Sequence, residues 1–409
     1  MGLTWAFAAG TGAVPLPYLS PQPTAIDGVP WLRWAAWLGV MFGLFPAIMA
    51  YFVWGERKVA ARFQDRIGPN RVGPFGLLQS IADAVKLLTK ENIVPASADS
   101  AVHLLAPVLL LVSAFLTLAV IPFGAGLAAV NPPSGLLFLI AATSLSPLSV
   151  FMAGWSSRNK FALLGAMRAV AQLVSYEVPQ VLATLPVVLW AGSLSLVAIF
   201  DRQVEQGWFL FSPPGLLAFG ILTIANIAEV NRAPFDLPEA ESEIVAGYHT
   251  EYSGMRFALF FLAEYLGIFG VSCLGTALFL GGGTLPLLGH WQVTLLGTDT
   301  WAGYVLTNLG LVGGFSLKVL LYVFLIFWIR ATVPRLRVDR LMDFAWKTLV
   351  PLAIANIAVA AAWYELAIRP GGPGRLVGWV VTAPLVVGAV LGVRAIHRAA
   401  RPAGVGVAA

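Results

Sequence analysis

Long apolar runs separated by short polar connections dominate the 409-residue chain. A helix needs about 17–25 apolar residues to cross the hydrocarbon core of a bilayer. Nine such runs occur, at about 34–54, 101–123, 135–154, 164–198, 214–231, 255–280, 303–330, 347–368 and 376–394. The pattern predicts an all-α polytopic membrane protein. The fourth run is too long for one straight crossing, and Pro179 and Pro186 within it predict a kink or a helix that overshoots the bilayer. Residues 1–33 are interrupted by Pro15, Pro17, Pro21 and Pro23 and carry no basic residue before Arg33, so they read as an irregular extension and not as a signal peptide.

The first connection, 55–100, is patterned. Gly68-Pro69-Asn70 and Gly73-Pro74 are turn chemistry. From Pro74 to Lys90, Leu77, Leu78, Ile81, Val85 and Leu88 share one helical face, and Gln79, Asp83, Lys86 and Lys90 the other. This predicts a helix-turn-helix whose second helix lies in the membrane interface or against the bundle. Glu56-Arg57-Lys58 falls where the first run meets this connection. Its basic groups serve as an anchor or line a polar entrance, and the sequence leaves both readings open.

The polar positions inside the runs are few. Glu177 and Arg168 lie in the fourth, Glu264 in the sixth and Lys318 in the seventh. Ionisable groups at membrane depth are costly, face a protein interior or a wet cavity, and are functional by default. Lys318 needs a carboxylate or water, and Arg168 is an ion-pair candidate for Glu177. The densest acid is the segment EVNRAPFDLPEAESEIVAGYHTEYSGMR, from Glu229 to Arg256. It holds Glu229, Asp236, Glu239, Glu241, Glu243 and Glu251. Asp236-Leu237-Pro238-Glu239 has the form of a helix start, with an N-cap acid and a first-turn proline. Capping accounts for Asp236 and Glu239 only. No Lys or Arg lies between Arg232 and Arg256, so these two are the nearest ion-pair candidates. The excess acid implies a basic partner or carboxyls that hold protons.

Composition agrees with the spans and narrows the chemistry. The chain is 58% hydrophobic and 11% charged, with a mean hydropathy of +0.82. Nineteen of its 25 Lys and Arg fall in or beside the segments 55–100, 155–163, 232–256, 331–346 and 395–409, and four on the other side. By the positive-inside rule the N-terminus is periplasmic and the C-terminus cytoplasmic. The net charge of +5 belongs to this topology, not to nucleic-acid binding. One cysteine, Cys273, and four scattered histidines cannot build an iron–sulfur or bis-His haem centre. No G-x-G-x-x-G motif marks a dinucleotide domain. The chain is read as binding no metal or cofactor, so electrons for any redox step come from other subunits.

Four blocks carry a family resemblance: ERKVAARFQDRIGPNRVGPFGLLQSIADAVKLLTKE (56–91), SSRNKFALLGAMRAVAQLVSYEVP (156–179), AEVNRAPFDLPEAESEIVAGYHTEYSGMRFALFFLAEY (228–265) and WIRATVPRLRVDRLMDFAWKTLVP (328–351). On these the chain resembles the H subunits of bacterial NADH–quinone oxidoreductase (complex I), counterparts of mitochondrial subunit 1. The resemblance implies a transmembrane domain over 34–368 with cytoplasmic loops 55–100 and 232–254. An additional helix and a short cytoplasmic tail would then occupy 369–409. It implies a proton-translocating enzyme subunit of the bacterial inner membrane with quinone, ubiquinone or menaquinone, as substrate. FMN and iron–sulfur clusters would belong to partners. The partners would be the quinone-site subunits of the hydrophilic arm on the cytoplasmic face, with small and antiporter-like membrane subunits and lipid alongside. Carried over by position, Arg57, Lys58, Arg62, Arg66, Asp236 and Glu239 would line the quinone entrance and chamber. The proton path would run through Glu177, Glu229, Asp236, Glu239, Glu241, Glu243, Glu251, Glu264 and, from its mid-span position, Lys318. The membrane subunit of an energy-converting hydrogenase shares this pattern. A stand-alone ion transporter would show inverted repeats with paired broken helices, and none is evident.

Overall fold

A computed structural model describes residues 30–124, 127–237, 246–285, 301–369 and 372–399. In chain order the helices are α1 (Ala35–Phe63), α2 (Gln79–Thr89), α3 (Ser100–Ala119), α4 (Gly135–Ser156), α5 (Lys160–Ala191), α6 (Leu196–Gln206), α7 (Pro213–Glu229), α8 (Gly254–Phe279), α9 (Trp301–Thr332), α10 (Val338–Ile368) and α11 (Arg375–Ala399). Eight are long and apolar enough to cross a membrane, and the described residues form no strand. The fifth apolar run, 214–231, is represented by α7, which has only 17 residues. At 1.5 Å per residue it rises about 26 Å, less than the hydrocarbon thickness. Its boundaries are set locally. Ser212 caps its start by accepting the Gly215 N–H at 3.1 Å, Pro213 and Pro214 fill the first turn, and Asn231 turns left-handed (φ 50°) just past its end. Ala218, Leu222, Ala225 and Ala228 are fully buried, so α7 is sheathed by its neighbours.

The bundle packs through small side chains, which let helix axes approach where no hydrophobic effect draws them together. Ala162, Ala166 and Ala169 of α5 are fully buried, and Gly154 of α4 leaves no room for a Cβ against Ala166. α5 runs unbroken for 32 residues through Pro179 and Pro186, a rise of about 48 Å. The fourth run is therefore one helix longer than the hydrocarbon core is thick. α4 is interrupted at Ser144, between segments Gly135–Thr143 and Leu145–Ser156.

The first connection forms helix, turn and helix, with one difference. A single 3-10 turn at Pro74–Gly76 precedes α2, because Gly73 and Gly76 adopt positive φ and break a continuous helix from Pro74. The apolar face of α2 points away from the bundle: Leu78, Ile81, Val85 and Leu88 are 47–63% exposed. The basic segment after α9 is more than a membrane anchor. Tyr176 of α5 donates to the Leu341 carbonyl at 2.9 Å, and the Leu336 N–H bonds the Pro234 carbonyl at 3.1 Å. It therefore roofs the start of the acidic segment.

Candidate functional site

Glu56 ends a run of buried positions on α1 and is 6% exposed. A lone carboxylate there would be costly, and two arginines and a phenol meet it. Arg330 of α9 pairs with its Oε1, Arg232 lies 3.4 Å from the same oxygen, and the Tyr265 hydroxyl donates to Oε2 at 2.7 Å. Arg232 is 3% exposed and turns its Nε to Glu264 Oε1 at 2.9 Å. Its guanidinium also lies 4.7 Å from the centre of the Tyr265 ring. Two carboxylates and two guanidiniums thus form a network of zero net charge, buried at Glu56 and Arg232 and open to one side at Arg330, drawn from α1, α8, α9 and the turn after α7.

Glu264 also lines a cavity of about 80 Å³ that it shares with Glu229, Gln180, Asn231, Ser113 and Thr117. At about 30 Å³ per molecule this holds two or three waters, and the polar lining offers them partners. Glu229, the last residue of α7, accepts from Gln180 Nε2, which also donates to Asn226 Oδ1 at 3.1 Å. Asn226 continues to the Tyr322 hydroxyl at 3.3 Å, and Tyr322 to Thr223 at 2.9 Å. Glu177 accepts from Ser144 Oγ at the break in α4, where the interrupted helix frees a hydroxyl at membrane depth. Arg168 is nine residues away on the same helix, about 13 Å of rise, so Glu177 takes a hydroxyl rather than that arginine.

The chain leaving α7 is held to α5 by one amide. Gln172 Nε2 is 2.8 Å from the Ala228 carbonyl, 2.7 Å from the Phe235 carbonyl and 3.2 Å from Asn231 Oδ1. Arg232 is fixed between these anchors. Asp236 is half-buried just beyond them. Glu239, Glu241 and Glu243, and the helix start predicted at Pro238-Glu239, lie outside the described residues.

Past that interval, Glu251 accepts from Asn159 Nδ2 at 2.6 Å. Arg256, expected to pair with an acid, instead meets His103 Nδ1 at 2.7 Å, and His103 stacks on Tyr252 with centroids 3.8 Å apart. Burial pushes the Tyr252 phenol up to about 12 and the His249 imidazole down to about 3, which leaves both neutral near pH 7.

The four basic positions after α1 do not act as one group. Arg57 and Arg66 line a groove of about 760 Å³ with Arg71 and Gln79. Arg57 is bound to Asp83 at 2.7 Å. Lys58 lies 5.8 Å from the Trp54 ring centre, and Arg62 is exposed in the last turn of α1. Among the described residues, Lys318 meets neither a carboxylate nor the acidic cavity; its ammonium donates to three backbone carbonyls. Sequence reasoning missed Glu56, Arg330, Tyr265 and the amides Gln172 and Gln180. Glu56 and Arg330 sit inside segments that satisfy a positive-inside pattern, and that pattern masked them. A carboxylate preceding two basic residues at a span end was the available signal.

Comparison with known sequences accords with this arrangement. A sequence model of the family described as NADH dehydrogenase matches residues 36–361. The H subunit of NADH-quinone oxidoreductase from Dehalococcoides mccartyi strain CBDB1 is 47% identical over 340 residues, 83% of this chain and 89% of that protein. The H subunit from Geobacillus kaustophilus is 47% identical over 342 residues, 82% and 96% of the two chains. That of Brevibacillus brevis is 48% identical over 313 residues, 76% and 88%. With its multi-pass helical bundle and an identity near one half along most of its length, the chain belongs to the family of H subunits of NADH–quinone oxidoreductase.

Proposed function

We propose that this chain forms the membrane floor of the quinone-reducing chamber of a proton-translocating complex I and carries protons inward through its carboxylates. The observation that carries this reading is the shared residue Glu264. It belongs both to the Glu56–Arg232–Arg330 network and to the polar cavity holding Glu229. Reducing a quinone to quinol takes two electrons and two protons. The electrons arrive from clusters in the hydrophilic arm. The residues of this chain supply the response to charge on the quinone. A new negative charge above Arg232 competes with Glu56 and Glu264 for the guanidinium. A carboxylate that loses its cation takes up a proton more readily. Water in the cavity then links Glu264 to Glu229, and Glu177 continues the series. Closely spaced carboxyls of this kind titrate as a set.

The entrance is assigned to Arg57 and Arg66 with the groove they share, and Lys58 and Arg62 lie on its membrane side. Asp236, Glu239, Glu241 and Glu243 belong to the chamber floor, and Glu251 to its far end. The N-terminus is assigned to the periplasm and the C-terminus to the cytoplasm. In the assembled complex, Glu229→Gln, Glu264→Gln and Glu177→Gln are each expected to lower proton pumping per NADH at least about five-fold, with the complex still assembled. Glu239→Gln and Glu243→Gln are expected to act in the same direction. Unchanged pumping in all of these variants would refute the acidic path.

A further inference from the structure

Lys318 is 9% exposed on α9. Its ammonium donates to the Leu280 carbonyl at 2.6 Å, to the Gly282 carbonyl at 2.7 Å and to the Thr284 carbonyl. Those bonds use all three donors of an ammonium. The Trp208 ring covers it, with 4.1 Å from Nζ to the ring centre. The cage is a glycine turn that folds back into the bundle after α8. Gly281 and Gly282 have φ of 64° and 52°, and a Cβ on Gly283 would collide with the Leu311 carbonyl of α9.

Closing the end of α8 does not require this lysine. The Gly282 N–H already reaches the Thr276 carbonyl at 3.2 Å. Gln203 of α6 accepts the Gly281 N–H at 2.9 Å and donates to the Ala277 carbonyl at 2.8 Å. The ammonium is therefore an added positive charge in the interior, balanced by dipoles, and its hydrogen-bond partners among the described residues include no carboxylate.

Its position separates two cavities. The acidic cavity stops at Leu274 of α8, about 9 Å of helix rise before Leu280. At the opposite end of the bundle, a cavity of about 280 Å³ is lined by Trp208, Phe211, Trp363, Arg375 and Trp379. Leu278, Phe279 and Phe315 are buried in this same region of α8 and α9. Trp208 is common to the outer cavity and the cage, so a cation entering from that side meets the indole and then the ammonium.

We propose that Lys318 is an electrostatic seal, a tethered cation in a carbonyl cage that keeps protons from crossing between the acidic cavity and the far face of the membrane. A fixed positive charge in a low-dielectric interior raises the barrier to any second cation, as basic groups do in proton-excluding pores. The proposal rests on the acidic cavity handling protons, but its test uses no turnover. The assembled complex is reconstituted in lipid vesicles without NADH, a membrane potential is imposed, and passive proton entry is followed with an internal pH dye.

Lys318→Gln, which keeps a donor and loses the charge, is expected to admit protons about ten-fold faster. Lys318→Arg is expected to stay as tight as the parent. Trp208→Glu sets a carboxylate over an untouched ammonium and is expected to leak like Lys318→Gln. Tight vesicles from either neutralised variant overturn the seal. So does an equal leak in Lys318→Arg, which would make the effect one of packing. Failure of both neutralised variants to assemble assigns the lysine to folding and likewise overturns it. Lost pumping per NADH in Glu229→Gln or Glu264→Gln, with the neutralised Lys318 variants leaking, would leave the seal standing and concern the acidic path alone.

Discussion

Among the described residues, the bundle buries positive charge in two places and balances it in two different ways. At one end, Arg232 is held by Glu56 and Glu264, and Arg330 shares Glu56. At the other, Lys318 is held by three carbonyls and an indole ring. Carboxylates can take up a proton and let their cation go, whereas backbone carbonyls cannot. The first arrangement is therefore responsive and the second fixed. The difference separates a region whose acids can release their cation from one whose cation is held by dipoles alone among the described residues.

Removing one cation tests the contrast most severely. Arg232→Met leaves Glu56 and Glu264 short of a partner at a buried site, which costs about 3–5 kcal/mol. The expected result is loss of the assembled complex, or a clear drop in its thermal midpoint, read on native gels and by melting of the purified complex. Adding Glu264→Gln to Arg232→Met removes a stranded charge and is expected to recover part of that loss. Lys318→Gln strands only dipoles and is expected to lower the midpoint less than Arg232→Met does. The reverse order would break the comparison.

Smaller changes sharpen it. Tyr265→Phe deletes one hydrogen bond to a charged oxygen, worth about 1.5–3 kcal/mol. Because Glu56 keeps both arginines, assembly is expected to survive while the pH profile of turnover shifts to higher pH. An unchanged pH profile would remove Tyr265 from the network.

The smallest expected effects are opposed pH dependences at the two ends. Asp201 of α6 is pushed up to about 7, first by burial and then by the neighbouring Glu205. The folded chain keeps that proton where the unfolded one has lost it, so stability falls as pH rises from about 4 to 7. His249 lies near the acidic segment and is lowered to about 3 by burial. The unfolded chain there binds the extra proton, so stability falls as pH drops from 6.5 towards 3. Melting the complex across pH 5–8 is expected to show Asp201→Asn flattening the alkaline loss and His249→Phe the acid loss. Parallel profiles in parent and variants would refute the assignments.

The membrane architecture was legible because hydrocarbon imposes it. Each apolar run had to become a helix, and local capping set the boundaries of the shortest, α7. The acidic segment was legible as an anomaly of composition. Its hub was not. Glu56 and Arg330 lie 274 residues apart, in stretches whose charge already had a sufficient explanation. Residues 281–284 follow the sixth apolar run, and nothing in their composition states that carbonyls of this turn would point inward. Lys318 signalled that some partner existed but not which. A buried lysine is satisfied by any set of acceptors, and backbone acceptors leave no trace in a sequence.

The close approach of the glycine turn to α9 has a consequence for how freely the chain can change. A Cβ on Gly283 would strike the Leu311 carbonyl, one on Gly314 would strike the Gly283 carbonyl, and one on Gly282 would strike the Phe200 ring. Two of these obstacles are backbone and cannot move aside without shifting a helix. Substitution elsewhere in the outer segment trades one side chain for another. At these positions the smallest step available, a single methyl group, already displaces α9 and the lysine it carries. Mutational tolerance is therefore expected to fall abruptly at this turn. A saturation library scored for assembled complex would show it as a narrow interval of near-total intolerance, set by backbone proximity rather than by side-chain chemistry.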